Sequence, residues 1–261
     1  MKVAVGSCTN PGRVRPTNQD SLGDFDSPDG GPDKGRLLVL ADGMGGEAGG
    51  EIASRLAVDV VGKMYFKCPS TEPAAALELS MMAANQAIHA QATASAELHR
   101  MGTTCTALVL QGSRAWVAHV GDSRCYLLRH GRAAPLTRDH TLAAEQLRMG
   151  LITSREANSA QTSHVLSRSV GAGLFVNVDT TEQQIFANDI LLLCSDGLHN
   201  SVGSDDIVRL VSPDRPLADS AAALVTLAKE RDGGDNISVQ LIRIREVERV
   251  GMYRGRHYKV R

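Results

Sequence analysis

The chain has 261 residues, 43% hydrophobic and only 3% aromatic, with a formal net charge of −1. This composition excludes a disordered chain, and the near-zero charge excludes a general attraction to nucleic acid or to an acidic membrane surface. Five scattered cysteines (Cys8, Cys68, Cys105, Cys125, Cys194) form no CxxC pair, which argues against a zinc or redox motif and fits free thiols in a reducing compartment.

Residues 1–6 carry no long apolar run of the signal-peptide kind, and no window approaches about 18 uninterrupted apolar residues. A cytoplasmic protein without a membrane span is expected. Residues 2–8 read as a short strand. Residues 9–35 are rich in Gly, Pro, Asp and Asn and predict loop. Residues 36–41 form a compact apolar run, the signature of a buried strand, ending abruptly at Asp42-Gly43-Met44-Gly45-Gly46. Ile52, Leu56 and Val60 then mark one helix face. Leu77, Met81, Ala84, Ile88 and Ala92 mark a second, opening near Pro73. Both stripes read as core faces, not binding sites.

Residues 103–110, 114–120 and 124–129 are successive β-like runs, with Gln111-Gly112-Ser113 and His130-Gly131 as tight hairpin turns. Two helices followed by an antiparallel meander argue against a parallel βαβ fold. Residues of about 138–172 are more polar and less regular. They hold a short helix over 142–149, stopped at Gly150, and are expected to form a flap. Residues 189–195 repeat the buried-strand pattern and also end at Asp-Gly, here Asp196-Gly197. A helix over 217–229 uses Leu217, Ala221, Leu224 and Ala228. The last strand, 237–244, follows Gly233-Gly234-Asp235-Asn236. No linker divides residues 1–247, which are expected as one domain. The tail, 248–261, is basic (Arg254, Arg256, Lys259, Arg261) and reads as a solvated, frayed end, with a docking segment as the alternative.

The chemistry lies in the carboxylates. One apolar strand delivers Asp42 and another delivers Asp196; the glycine after each is expected to let the chain turn and expose its carbonyl. Asp235 stands in a Gly-Gly-Asp-Asn turn, Asp122 in Gly121-Asp122-Ser123-Arg124, and Asp20 ends Asn18-Gln19-Asp20. One Asp-Gly is ordinary turn chemistry, whereas several at strand ends point to convergence. Converging carboxylates repel, and divalent cations remove that cost. An all-oxygen set favours Mg2+ or Mn2+ over zinc or copper. Two such ions roughly 4 Å apart lower the pKa of a bridging water and clamp a phosphate for in-line attack. No cysteine has arginine six residues later and no GxxxxGK[ST] occurs, so neither a thiolate phosphate loop nor a P-loop is present.

Seven segments then come in one order: Arg15-Pro16-Thr17-Asn18-Gln19-Asp20-Ser21, Ala41-Asp42-Gly43-Met44-Gly45-Gly46, Met101-Gly102-Thr103-Thr104, Val120-Gly121-Asp122-Ser123-Arg124, Leu136-Thr137-Arg138-Asp139-His140, Ser195-Asp196-Gly197-Leu198 and Gly234-Asp235-Asn236-Ile237-Ser238. In this the chain resembles the type-2C, or PPM, serine/threonine protein phosphatases, in their bacterial branch, over nearly its whole length. The resemblance implies an α+β fold: two antiparallel β-sheets packed as a central sandwich, flanked by helices on both sides. It implies hydrolysis of phosphoserine and phosphothreonine by a metal-activated water at a binuclear Mn2+ or Mg2+ centre. Asp42 would bridge the two cations, the Gly43 carbonyl would bind the second, and Asp196 and Asp235 would complete the first. Asp122 matches the aspartate that can hold a third ion, and Asp20 would act on waters of the second. Arg15 matches the arginine that grips the substrate phosphate, with Arg13 a nearby competitor. Phosphorylated proteins as substrates and a cognate serine/threonine kinase follow by the same resemblance, and a monomer is expected.

Two positions depart from the animal members. Gln19 stands where many have glutamate. Met44 stands where they have a histidine assigned as the acid that protonates the leaving alkoxide, so a metal-bound water takes that role here by hypothesis. His140, at the flap's opening, and His199, beside Asp196-Gly197-Leu198, are further candidates. A catalytically silent phosphoprotein binder, which lost metal aspartates would signal, and a phosphatase of small phosphate esters or anhydrides are the competing readings.

Overall fold

The run 36–41 shows how the molecule is layered. Successive side chains of a strand point to opposite faces, yet Leu37, Leu38, Val39, Leu40 and Ala41 are all fully buried. Leu37, Val39 and Ala41 join one apolar cluster with helical residues such as Val61, Leu77 and Ile88. Leu38 and Leu40 join another with Leu127, Leu191, Leu193 and Ile242. Here the strand is covered by helices on one face and by a second sheet on the other.

The computed structural model describes residues 1–28, 34–46, 49–159, 162, 164–247, 249–253 and 256–260. In chain order the elements are β1 (Lys2–Asn10), β2 (Asp20–Asp26), β3 (Arg36–Met44), α1 (Gly49–Lys67), α2 (Pro73–Ala94), β4 (Gly102–Thr103), β5 (Cys105–Gln111), β6 (Arg114–Val120), β7 (Arg124–Arg129) and β8 (Arg132–Pro135). They continue with α3 (Leu142–Arg148), α4 (Ser154–Ser159), β9 (Asp179–Gln184), β10 (Ile190–Cys194), α5 (Asp196–His199), α6 (Ser204–Leu210), α7 (Leu217–Arg231), β11 (Ile237–Glu246), β12 (Arg249–Tyr253) and β13 (Arg256–Val260).

One sheet has the order β1-β11-β10-β7-β8 and the other β2-β3-β5-β6-β9, with β4 paired to β3. Neighbouring strands in both are antiparallel. The sheets face each other across the cluster that holds Leu38 and Leu193. Helices α1 and α2 cover one outer face, and Leu217, Ala221, Leu224 and Ala228 of α7 cover the other. This is the expected sandwich with helices on both sides. Among the described residues no helix is long and apolar enough to cross a membrane.

The hairpin expected at His130-Gly131 is present. Both residues have positive φ, 51° and 71°, as a two-residue turn between twisted strands requires. Residues 20–26, expected as loop, instead form β2, paired along β3 from Asp20↔Asp42 to Asp26↔Arg36. The backbones of 249–253 and 256–260 pair as a hairpin where a frayed tail was expected. Arg254 and Arg261 lie outside the described residues.

Candidate active site

The site lies at one end of the sandwich, where strands of both sheets end. Strand β3 carries Asp42, directly across from Asp20 on β2. Strand β10 ends at Cys194 and passes through Ser195 into Asp196, the first residue of α5. Asp235 comes just before β11, and Asp122 lies in the turn between β6 and β7. One cavity of about 560 Å³ is lined by Asp42, Asp122, Asp196, Asp235, Gly43, Met44 and Arg15. Two sheets that share no strand thus place their carboxylates in one space.

The glycines after Asp42 and Asp196 are required for a reason other than the expected one. Gly43 lies within β3, opposite Thr103. A Cβ there would stand 2.0 Å from the Gly50 carbonyl oxygen, and one on Gly197 would stand 2.1 Å from the Asn236 carbonyl oxygen. Neither glycine has positive φ. Close approach of backbone to backbone, rather than a sharp turn, excludes a side chain.

Backbone and hydroxyl contacts fix the carboxylates. The Asp42 N–H donates to Thr104 Oγ1 at 3.0 Å, and the Asp42 carbonyl accepts from the Thr104 N–H at 2.8 Å. Thr104 and Ser123 hydroxyls meet at 2.7 Å, which ties the β3 end to the turn bearing Asp122. Ser195 Oγ donates to Asp20 Oδ2 at 2.9 Å and accepts from the Ser238 N–H at 2.9 Å. Asn236 is almost wholly buried. Its Nδ2 reaches the Pro11 and Thr17 carbonyls, each at 3.0 Å, and its Oδ1 accepts from the Gln19 N–H at 2.8 Å. That side chain staples the loop carrying Arg15 to the site.

The carboxylates are held out of water and against one another. Burial, followed by the charges of Asp20 and Asp196, pushes Asp42 well above the ordinary aspartate range. Burial raises Asp20 to about 6 and Asp122 to about 7. Asp196 is raised by burial and then by the charge of Asp235. Arg15 Nη2 donates to Asp235 Oδ2 at 2.8 Å, and that contact raises the guanidinium pKa. Among the described residues no three His, Cys, Asp or Glu side chains are drawn into a closed metal site. The donor set nevertheless fits divalent cations. It is all oxygen, and Asp20 Oδ1 and Asp196 Oδ1 are buried without any hydrogen-bond partner, which is costly for a carboxylate unless a cation or donor meets it.

The competing candidates separate clearly. Arg15 lines the cavity and Arg13 does not; the Arg13 N–H is bound to the Gly233 carbonyl at 2.7 Å. His140 is buried away from the cavity. Its Nδ1 accepts from the Gly121 N–H at 3.1 Å, and its Nε2 stands 3.2 Å from Asp179. His199 donates from Nε2 to the Asp122 carbonyl at 2.9 Å, and burial lowers its pKa to about 4, so it orders the Asp122 turn as a neutral ring. Sequence reading missed Ser195, Thr104, Asn236 and His164. His164 lines the cavity from the excursion between β8 and β9. The signal for Asn236 was present in the Gly-Gly-Asp-Asn turn; nothing in the sequence pointed to His164.

The fold and this acidic pocket define a class, the two-sheet α+β hydrolases with an oxygen-lined centre. A family model described as Protein phosphatase 2C matches residues 15–232, and the chain belongs to that family. It is 35% identical over 252 residues to the serine/threonine phosphatase Stp of Listeria welshimeri, covering 95% of this chain and 96% of that one. The Streptococcus agalactiae serine/threonine phosphatase superposes with a TM-score of 0.86 at 32% identity, over 93% of this chain and 100% of the other. A catalytic domain of the serine/threonine phosphatase PstP in complex with two manganese ions superposes with a TM-score of 0.80 at 33% identity, over 94% and 99%.

Proposed function

We propose that this chain is a metal-dependent protein phosphatase that hydrolyses phosphoserine and phosphothreonine in proteins. The observation that carries the reading is the convergence of Asp42, Asp122, Asp196 and Asp235 with Arg15 in one cavity at the sandwich end. Asp42, the Gly43 carbonyl, Asp196 and Asp235 would hold two divalent cations, Mn2+ or Mg2+. Asp122 would hold a third, and Asp20 would orient water around them. Bound there, the cations supply Lewis acidity and lower the pKa of bound water.

The chain's own residues supply the rest. Arg15 is half exposed and has donors beyond the one facing Asp235; a planar guanidinium binds two phosphate oxygens at once. Asp42 and Asp196 are half-buried at the cavity wall, where bulk water screens their charges less than on an open surface. Met44 lines the cavity and has no proton to give, so the leaving alkoxide takes its proton from water held in the site. His164 is the side chain to test against that reading. Its replacement by Ala is expected to leave phosphopeptide turnover within about threefold, whereas a loss of roughly a hundredfold, the size of a general acid's contribution, would overturn it.

Residues 1–247 act as one catalytic domain, with 138–172 as its flap and 248–261 as a basic appendage. The protein works as a cytoplasmic monomer opposite a serine/threonine kinase. The experiment is turnover of phosphopeptides and of nucleotides with Mn2+ and with a chelator. Chelation is expected to abolish phosphopeptide hydrolysis, and phosphopeptides are expected to be the better substrates. Faster turnover of nucleotides would favour the small-ester reading.

A further inference from the structure

Helix α2 buries a stripe that should be apolar, yet Asn85 lies in it between Met81 and Ile88 and is 1% exposed. A buried amide is tolerated only when its polar atoms are matched. All of the matching comes from one segment far along the chain. Asn85 Oδ1 accepts from the Gly171 N–H at 2.7 Å, and Nδ2 donates to the Gly173 carbonyl at 2.9 Å and the Leu174 carbonyl at 3.2 Å. Gly171 has φ +93°, and a Cβ on it would stand 2.1 Å from Ile88 Cγ2. The chain therefore makes a turn open only to glycine, pressed onto α2, held by three hydrogen bonds to Asn85 and flanked by His89, whose Nδ1 lies 3.3 Å from the Gly171 carbonyl.

This turn is where the excursion over the cavity returns to the sandwich. Immediately before it, Val170 exchanges both backbone hydrogen bonds with Thr103, at 3.0 and 2.8 Å. The Thr103 hydroxyl lies 2.8 Å from the Asp42 carbonyl. A few residues earlier, Leu166 and Ser169 line the cavity itself. Asn85 thus stands behind a short path: Gly171, Val170, Thr103, Asp42.

We infer that Asn85 is a positioning residue that fixes the C-terminal hinge of the flap and so sets the cavity rim on which a phosphoprotein chain lies. The hinge stands on geometry alone; its consequence for substrate rests on the phosphatase reading. A small aryl phosphate needs the cavity centre only, and a phosphopeptide needs the rim as well. Loss of the clamp should therefore weaken peptide binding selectively.

The test combines amide hydrogen exchange with kinetics on Asn85→Ala, on Asn85→Asp, which keeps the volume and the acceptor but loses both donors, and on Gly171→Ala, which should reproduce the loss. Exchange over residues 165–175 is expected to accelerate at least about tenfold while β10 and β11 stay protected. KM for a phosphopeptide should rise about tenfold with kcat within about threefold, and KM for an aryl phosphate should change by less than about threefold. Should the Ala variant fail to fold, the Asp variant carries both readouts. Unchanged exchange at 165–175 would overturn the hinge. Faster exchange with an equal loss on both substrates would overturn the selective role. A wild-type protein that hydrolyses neither ester would instead sink the phosphatase reading and leave the exchange result standing.

Discussion

Asp42 makes the clearest stability trade at the scale of single residues. Its carboxylate is half-buried and faces Asp20 and Asp196, so in the cation-free protein it is a source of strain. Asp42→Asn is therefore predicted to raise the melting temperature of the chelated protein by a few degrees, about 2–4 °C per kcal/mol of relieved repulsion in a chain of this size. It should also remove most of the further rise that Mn2+ gives to wild type. Thermal scans with and without chelator check both, and a variant that melts lower than wild type in chelator would refute the strain. Gly43→Ala should act oppositely, costing about 2 kcal/mol or more because its Cβ meets the Gly50 carbonyl.

The aspartates themselves were legible in the sequence because an apolar run ending in Asp-Gly is conspicuous. The packing reason for the glycines was not, since the partner backbones at Gly50 and Asn236 come from other elements. His164 was illegible for the same reason: only the path of the excursion between β8 and β9 brings it to the cavity wall.

At the scale of elements, long apolar strands and striped helices were readable, and polar edge strands were not. Strand β2 reads Asp-Ser-Leu-Gly-Asp-Phe-Asp, a turn-like composition, and is held by pairing with β3 and by the two-pronged Arg36–Asp24 ion pair, both contacts at 2.7 Å. Strand β9 is largely exposed and polar, so no alternation marked it. The loop of residues 11–19 is likewise ordered from outside, by Asn236. Replacing Asn236 by Ala leaves the Gln19 N–H and the Pro11 and Thr17 carbonyls without that partner, at roughly 1–3 kcal/mol for each group that stays buried and unmet. The predicted outcome is a rise in KM for phosphopeptide of about tenfold or more, as Arg15 loses its fixed approach to the cavity. Steady-state kinetics on a folded Asn236→Ala protein check it, and an unchanged KM would contradict the staple.

At the scale of the whole molecule, the buried titratable groups set how stability varies with pH. Asp20 and Asp122 titrate near 6 and 7 when folded, against about 3.9 unfolded. Their contribution is full below about pH 4 and is lost as pH rises through 6 and 7. His119 and His199 act in the opposite sense. Burial lowers them to about 3 and about 4, so their contribution is present above about pH 6.5 and is lost as pH falls toward 3. The two sets oppose each other between about pH 4 and 7.5, since the unfolded histidines are still half protonated near 6.5, and the raised aspartates, Asp42 and Asp196 among them, outweigh the histidines toward the upper end. The chelated protein should therefore lose melting temperature from about pH 6.5 to 8. Saturating Mn2+ should flatten that decline, because cations offset the repulsion and displace the protons. A chelated protein that grows more stable over that range would contradict the electrostatics of the site.

The proposal that Asp42 and Asp196 jointly hold the cations on which hydrolysis depends is open to calorimetric Mn2+ titration of wild type, Asp42→Ala and Asp196→Ala, with phosphopeptide turnover measured on the same samples. Tight Mn2+ uptake and turnover are expected in wild type, and loss of both in each variant with the fold intact. Either variant retaining wild-type turnover would contradict the proposal.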